Sequence, residues 1–235
     1  MTDELTARTG IAETLPTVFG YIGIGLAFGM IARSNHLSVG LVFLLSAVVY
    51  AGSAQFIMVT LIALKSPILS IVLSVFLVNS RMILLSSAVA PYLKKESLFR
   101  NIIIGSFLTD ESFALSMNKL NATDGALNFD WLNAVNMVAY CTWVISSVCG
   151  AVLGHYIVNP MAFGLGFAVV AMFIGLLYLQ VISDTILGIR LQLLMIGVTL
   201  LLFFVGIIFI PSNILVLFVT LVSCGLGVWI KHEFF

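Results

Sequence analysis

Apolar runs long enough to cross a bilayer follow one another along almost the whole chain, and stretches such as Leu41 to Val49 and Leu200 to Ile210 carry no charge at all. A membrane-spanning helix needs roughly 20 mostly apolar residues, whereas transmembrane β-strands alternate apolar and polar positions. Continuous runs therefore read as helices. The 235 residues are 61% hydrophobic and 9% charged, with a mean hydropathy of +1.20, against about 25% charged in soluble domains. The fold class is all-α: a polytopic transmembrane helical bundle of seven to eight spans, in a single integral membrane domain covering 1–235.

Spans are placed near 14–32, 38–63, 67–91, 99–118, 131–154, 161–181, 191–209 and 212–230. Only Pro211, Ser212 and Asn213 separate the last two, so the count of seven or eight turns on that division. The opening residues (MTDELTARTGIAETLP) are polar and acidic, which is unlike a cleavable signal peptide; a short surface helix is expected there. Lysine and arginine favour cytoplasmic loops, and Lys94, Lys95 and Arg100 form the densest group. Arg8, Lys65, Lys119, Arg190 and Lys231 fall opposite them on this layout, so orientation stays open. The longest polar connection, Asn118 to Asp130, ends at the aromatic anchor Trp131, and Trp229 with Lys231 and His232 anchors the far end.

Ten basic and ten acidic residues balance to zero, and no basic cluster suits nucleic acid. Cys141, Cys149 and Cys224 lie in apolar runs without CxxC spacing or histidine neighbours, so they are expected to be buried packing residues. No metal ligand set, cofactor motif, nucleophile elbow or phosphate loop is present, and neither catalysis nor ATP hydrolysis is expected. His155, Asp184 and Arg190 lie at helix boundaries and need no special role.

Chemistry should reside where polar residues fall mid-span, because an ionised side chain at the bilayer centre costs about 2.5 to 3.5 kcal/mol even on insertion scales. Three places qualify. In Ala51-Gly52-Ser53-Ala54-Gln55-Phe56, small residues permit a packing seam or, where the helix breaks, expose backbone groups to a solute; Gln55 adds an amide. In Val78-Asn79-Ser80-Arg81, Arg81 lies roughly 15 Å from either helix end at 1.5 Å per residue. It needs an anion, supplied by a structural ion pair or by a substrate carboxylate. In Thr109-Asp110-Glu111-Ser112, two adjacent acids point about 100° apart on a helix. One could pair with Arg81, leaving the other for a substrate ammonium or a proton. Asn79, Arg81, Asp110 and Glu111 together would offer both signs of charge, as a zwitterion demands. Phe28, Phe56, Met82 and Phe113 each lie within a turn of a polar candidate and could line an apolar subsite.

Gly25 and Gly29 form a GxxxG pattern that usually marks tight helix packing. Asn133, Asn136 and Tyr140 share a helical face and suit either a cavity or interhelical hydrogen bonds.

With Phe28-Gly29, the AGSAQF segment at 51–56, Leu77-Val78-Asn79-x-Arg81, Ala90-Pro91-Tyr92-Leu93 and Leu108-Thr109-Asp110-Glu111-x-Phe113-Ala114, the chain resembles the AzlC family, the large subunit of bacterial branched-chain amino-acid exporters. The likeness covers roughly residues 14–118; beyond residue 130 only general hydrophobic character is shared. It implies ion-gradient-driven export of valine, leucine, isoleucine and methionine-like solutes across the bacterial cytoplasmic membrane, with a small hydrophobic AzlD-type subunit as partner. Met82 departs from the histidine common after the arginine in relatives. The alternatives to an exporter are a passive channel for small polar solutes and a membrane scaffold.

Overall fold

The computed structural model describes residues 5–154, 156 and 188–234 apart from 211, with scattered positions between 167 and 182. The expected span at 161–181, His155, Asp184 and Pro211 fall wholly or largely outside them. The chain groups into two compact units, 1–174 and 175–235.

In the first unit, α1 (Ala7–Ser34) is one continuous helix. Thr6 caps it: the Thr9 amide donates to Thr6 Oγ1 and the Thr6 amide donates to Thr9 Oγ1. Reciprocal capping satisfies two of the first-turn donors that have no partner within a helix. From Ala7 on, the opening segment thus extends the first span rather than forming a separate surface helix. The other long helix of this unit's centre, α8 (Phe129–Leu153), is capped by Asn128, whose Oδ1 accepts from the Trp131 amide at 3.0 Å.

These two helices pack tightly through small residues. Gly10 lies against Trp131 and Ala134, Gly25 against Ser146, and Gly29 against Ser147 and Ala151; Gly150 in turn lies against Leu26. Backbones approach so closely that a Cβ at Gly29 would meet the Ser147 carbonyl, which is how glycine-rich faces join helices in lipid. Numbers rise together along both helices, so α1 and α8 run parallel. The face on which both begin is called the first face below, and the one on which both end the second.

Between them the chain contains short helices. α2 (Val39–Leu44) continues as a π-helical turn over Leu45–Val49 and stops; α3 (Gly52–Ala63) follows after Tyr50 and Ala51. α4 (Ile68–Asn79) is interrupted at Ser80 and continues as α5 (Arg81–Val89), which ends in a 3-10 turn at Ala90–Leu93. α6 (Leu98–Phe107) and α7 (Asp110–Ala122) are separated by the extended pair Leu108 and Thr109.

Contacts fix the directions. Gln55 Nε2 donates to Ser46 Oγ at 3.2 Å across the Tyr50–Ala51 break, and Phe56 packs edge-on to Phe28 with ring centroids 5.4 Å apart, deeper toward the second face than the cavity residue Tyr21. α3 therefore reverses direction after the π-helical turn and returns to the second face. For the other pair, Glu96 Oε1 accepts from the Phe129 amide at 3.0 Å, which puts the start of α6 beside the start of α8 on the first face. Asn136 Nδ2 reaches Ile104 O at 3.3 Å, so α6 descends alongside α8. Then α7 returns, with Tyr21 against Thr109 and Glu13 against Lys119. Its end is on the first face again.

Two expected spans are corrected by this. Residues 38–63 and 99–118 are not single crossing helices but re-entrant hairpins entering from opposite faces, with arms such as ten-residue α6 that reach only about 15 Å, half the bilayer core. Among the described residues, four stretches are long and apolar enough to cross: Ala7–Ser34, Ile68–Leu93, Phe129–Leu153 and Ile189–Phe209. The all-α membrane class stands, and so does the break at the GSAQF segment.

In the second unit, α9 (Ile189–Phe209) begins at Gly188, whose φ of +70° suits only glycine comfortably, and breaks from α10 (Ser212–Phe234) at extended Ile210. Gly206 lies against Leu215 and Gly227 against Met195, so the pair is antiparallel. The division expected between 191–209 and 212–230 is present as two helices. All three cysteines are exposed rather than buried; in apolar spans, outward cysteines face lipid without cost.

Candidate functional site

The two hairpin tips meet the start of α5 around one cavity of about 30 Å³, lined by Tyr21, Tyr50, Ala51, Gly52, Ser53, Arg81, Met82, Thr109, Asp110, Glu111 and Trp143. Each tip is a helix N-terminus. At the first, Ala51 has no side-chain cap to offer, and the earliest intrahelical bond runs from the Gln55 amide to Ala51 O, so the amides of Gly52, Ser53 and Ala54 lack helical partners. Tyr50 adopts a left-handed conformation, φ +41° and ψ +47°, which is costly for an aromatic residue and concentrates at working sites. The π-helical turn before it is a further departure of the kind found there.

At the second tip Thr109 caps α7. The Ser112 amide donates to Thr109 Oγ1 at 3.3 Å and the Thr109 amide donates to Ser112 Oγ at 2.9 Å. Asp110 and Glu111 are consequently the first two residues of a new helix, not two positions in the middle of a continuous one. Arg81 Nη2 bridges the tips, donating to Asp110 Oδ2 at 2.8 Å and to Ser53 Oγ at 3.0 Å. Glu111 Oε2 accepts from Tyr21 Oη at 2.8 Å, and Tyr21 Oη lies 2.7 Å from Thr109 Oγ1.

The polar face of α8 holds both breaks. Tyr140 Oη donates to Ala47 O at 3.0 Å and Asn136 Nδ2 to Ile104 O. Both acceptors lie in last turns, where carbonyls have no helical donor and lipid offers none. The Tyr140 ring also sits between Tyr50 and Phe107, at 4.9 and 5.0 Å. Of the two uses open to this face, interhelical hydrogen bonding is the one adopted by Asn136 and Tyr140.

Of the sequence candidates, Gly52, Ser53, Arg81, Thr109, Asp110, Glu111 and Met82 come together at the cavity. The others lie away from its lining. Gln55 is fully buried, accepting from Trp143 Nε1 at 2.8 Å while donating to Ser46, so it ties the first hairpin to α8. Asn79 ends α4 two residues before Arg81. Phe28 stacks on Trp143 and meets Phe56 edge-on within one core cluster, and Phe113 packs against the cluster around Trp131. Tyr21, Tyr50 and Trp143 are site residues that sequence reasoning misses. Trp143 follows Asn136 and Tyr140 at helical spacing, a signal that could have found it; Tyr21 carries none beyond adjacency to Gly20, and Tyr50 none beyond its place just before the AGSAQF segment.

A cavity with an uncapped helix N-terminus, a guanidinium and two carboxylates can hold groups of both charges. Backbone amides and the positive end of the α3 dipole suit a carboxylate, while Asp110 and Glu111 suit a cation or a proton.

The AzlC protein family profile matches residues 16–157, spanning every element that builds this cavity. Among curated proteins, an uncharacterized membrane protein of Archaeoglobus fulgidus is 32% identical over 173 residues, 72% of this chain and 74% of the relative. One of Helicobacter pylori is 25% identical over 170 residues, 72% and 73% of the two chains. The inner membrane protein YgaZ of Escherichia coli is 26% identical over 176 residues, 73% and 72%. No solved structure matches the chain significantly. The family match covers more than half of the chain, and this membrane protein belongs to the AzlC family.

Proposed function

We propose that the protein is the pathway-forming subunit of a secondary exporter of branched-chain amino acids in the bacterial cytoplasmic membrane, working with a small AzlD-like subunit. The observation that carries this reading is the meeting of two oppositely inserted hairpin tips at the Arg81–Asp110 pair. Discontinuous helices whose N-termini face a mid-membrane site are a recurring way to bind anionic groups in secondary transporters.

In this reading the substrate carboxylate takes the amides of Gly52 and Ser53 together with Arg81, displacing Asp110, which turns to the substrate ammonium. Met82 and Trp143 bound the side-chain end. A cavity of about 30 Å³ has room for one or two waters and not for leucine, so this is a closed state and the tips must part to admit solute. Hairpin α6–α7 gates the first face and α2–α3 the second. A passive channel would not need two gates.

The hairpin topology also changes the charge vote. Arg8, Lys94, Lys95, Arg100 and Lys119 lie on the first face of this unit, against Arg33 and Lys65 on the second. The first face is therefore assigned to the cytoplasm. The apolar window of Ile68–Leu93 has no buried residue, with Phe76 and Ile83 largely exposed, and the small subunit is assigned there.

Efflux of labelled leucine, valine and methionine from preloaded proteoliposomes, with and without a proton gradient and with and without the small subunit, tests the proposal. Uphill efflux supports it. Movement only down the solute gradient would make the protein a channel, and no movement of any of the three would remove the amino-acid assignment.

A further inference from the structure

The cavity holds two neighbouring carboxylates in unlike surroundings. Asp110 is committed to Arg81. Glu111, one residue on and about 100° around the helix, has no lysine, arginine or histidine within ion-pair distance among the described residues. Its partner is a hydroxyl, that of Tyr21 on α1, and Tyr21 leads on to Thr109 and, through Thr109 Oγ1, to Ser112 Oγ at 3.4 Å.

Resting on the transporter reading above, we propose that Glu111 is the group that carries the coupling proton, that Tyr21 is its positioning residue, and that Asp110, the counter-ion of Arg81 in the empty site, stays charged throughout.

The hydrogen-bond chain is reversible because every link between Glu111 and Ser112 is a hydroxyl that can donate or accept. With Glu111 ionised, Thr109 donates to Tyr21 and Tyr21 donates to the carboxylate. With Glu111 protonated, its O–H donates to Tyr21 Oη, the Tyr21 proton turns to Thr109 Oγ1, and the Thr109 proton turns to Ser112 Oγ. No heavy atom has to move. The proton is taken from water on one face and returned to water on the other, with no bond to carbon made or broken.

Asp110 is less suited, since protonating it would weaken the 2.8 Å ion pair with which Arg81 joins the two tips. The groups facing Glu111 are Tyr21 from α1, Tyr50 from the first hairpin tip, Arg81 from α5, and Asp110 and Thr109 beside it; α8 contributes Trp143, which does not titrate. Arg81, Asp110 and Glu111 together carry a net charge of −1 or 0 according to the Glu111 proton. Both tips adjoin that charge. Its change is a physical means of coupling the proton to which hairpin is seated.

The test is an infrared titration of the protonated-carboxyl band on the full chain in liposomes over about pH 5 to 9, the range in which a buried carboxyl can titrate, for wild type and the variants E111Q, D110N and Y21F. The band should disappear in E111Q, persist in D110N and change its midpoint in Y21F. Efflux should lose its response to an imposed proton gradient in E111Q. A wild-type protein with no titrating carboxyl, or a band that survives E111Q, overturns the assignment. If wild type shows the Glu111 band but moves no amino acid, the transporter reading falls and the proton site stands.

Discussion

Arg81 Nη2 sits 2.8 Å from Asp110 Oδ2 and 3.0 Å from Ser53 Oγ, so one guanidinium nitrogen ties together the tips of two hairpins that enter the membrane from opposite faces. The pair is only partly shielded, with side-chain exposures of 33% and 19%. Removing one partner should cost about 1 to 3 kcal/mol of stability, below the 3 to 5 typical of fully buried pairs. Arg81→Ala should abolish transport, and Arg81→Lys should retain about a hundredth or less, because a lysine ammonium cannot make the bidentate contact that a substrate carboxylate receives from a guanidinium. A double-mutant cycle with Asp110→Asn, read by thermal unfolding in detergent and by efflux, measures the coupling. Independent effects in that cycle would mean that the ion pair does not hold the tips.

Gln55 is fully buried yet lies outside the cavity lining, and its amide spans Ser46 and Trp143. Gln55→Leu should therefore destabilise the first hairpin by about 1 to 3 kcal/mol, since it leaves the Trp143 indole N–H without its acceptor. Leucine selectivity over valine should be unchanged. Tryptophan emission from a background retaining Trp143 alone reports the lost hydrogen bond directly. Altered selectivity with unchanged stability would place Gln55 in the substrate path instead.

Much of this site is legible in the amino-acid sequence. Arg81 demands an anion because nothing apolar can surround a guanidinium, and Asp110 supplies it. The glycine and serine at 52 and 53 suggest a helix break because they allow one. The reversal of direction is not legible. Two half-length apolar arms joined by Tyr50-Ala51 or Leu108-Thr109 have the same hydropathy and total length as one straight span, since hydropathy records depth in the membrane and not heading. The Thr109–Ser112 cap is in principle visible as a helix start inside an apolar run. Phe28, Phe56 and Phe113 fall outside the lining of this cavity because proximity along a helix says nothing of which face a side chain takes, and here those side chains pack on the core clusters.

Glu96 on the first face gives a pH signature independent of transport. Arg100 Nη1 at 2.9 Å and the Phe129 amide at 3.0 Å both donate to its carboxylate, holding its pKa below the ordinary value of 4.5. A carboxyl whose pKa is depressed by folding stabilises the folded state above its unfolded pKa and loses that contribution as pH falls through the folded one. Resistance of the α6 and α8 starts to proteolysis should thus decline below about pH 4.5 and be flat across that window in Glu96→Gln. A decline of equal size in the variant would assign the acid sensitivity elsewhere.

The hairpin topology makes the most decisive prediction, because the straight-span alternative inverts it. If α2 and α3 form a re-entrant pair, His36 before the first arm and Lys65 after the second lie on the same face. If α6 and α7 do likewise, Ser97 and Asp124 share the other face. Straight crossings would separate the members of each pair. Single cysteines at 36, 65, 97 and 124, introduced after the exposed Cys141, Cys149 and Cys224 are replaced by alanine, can be labelled from outside intact cells with a membrane-impermeant maleimide. Positions 36 and 65 should label, and 97 and 124 should label only after permeabilisation, since the first face carries the basic excess. Opposite accessibility within either pair would remove that hairpin, and with it the convergence of two helix N-termini on Arg81. The reverse pattern with both pairs intact would keep the hairpins and invert the protein in the membrane, making α2–α3 the gate to the cytoplasm.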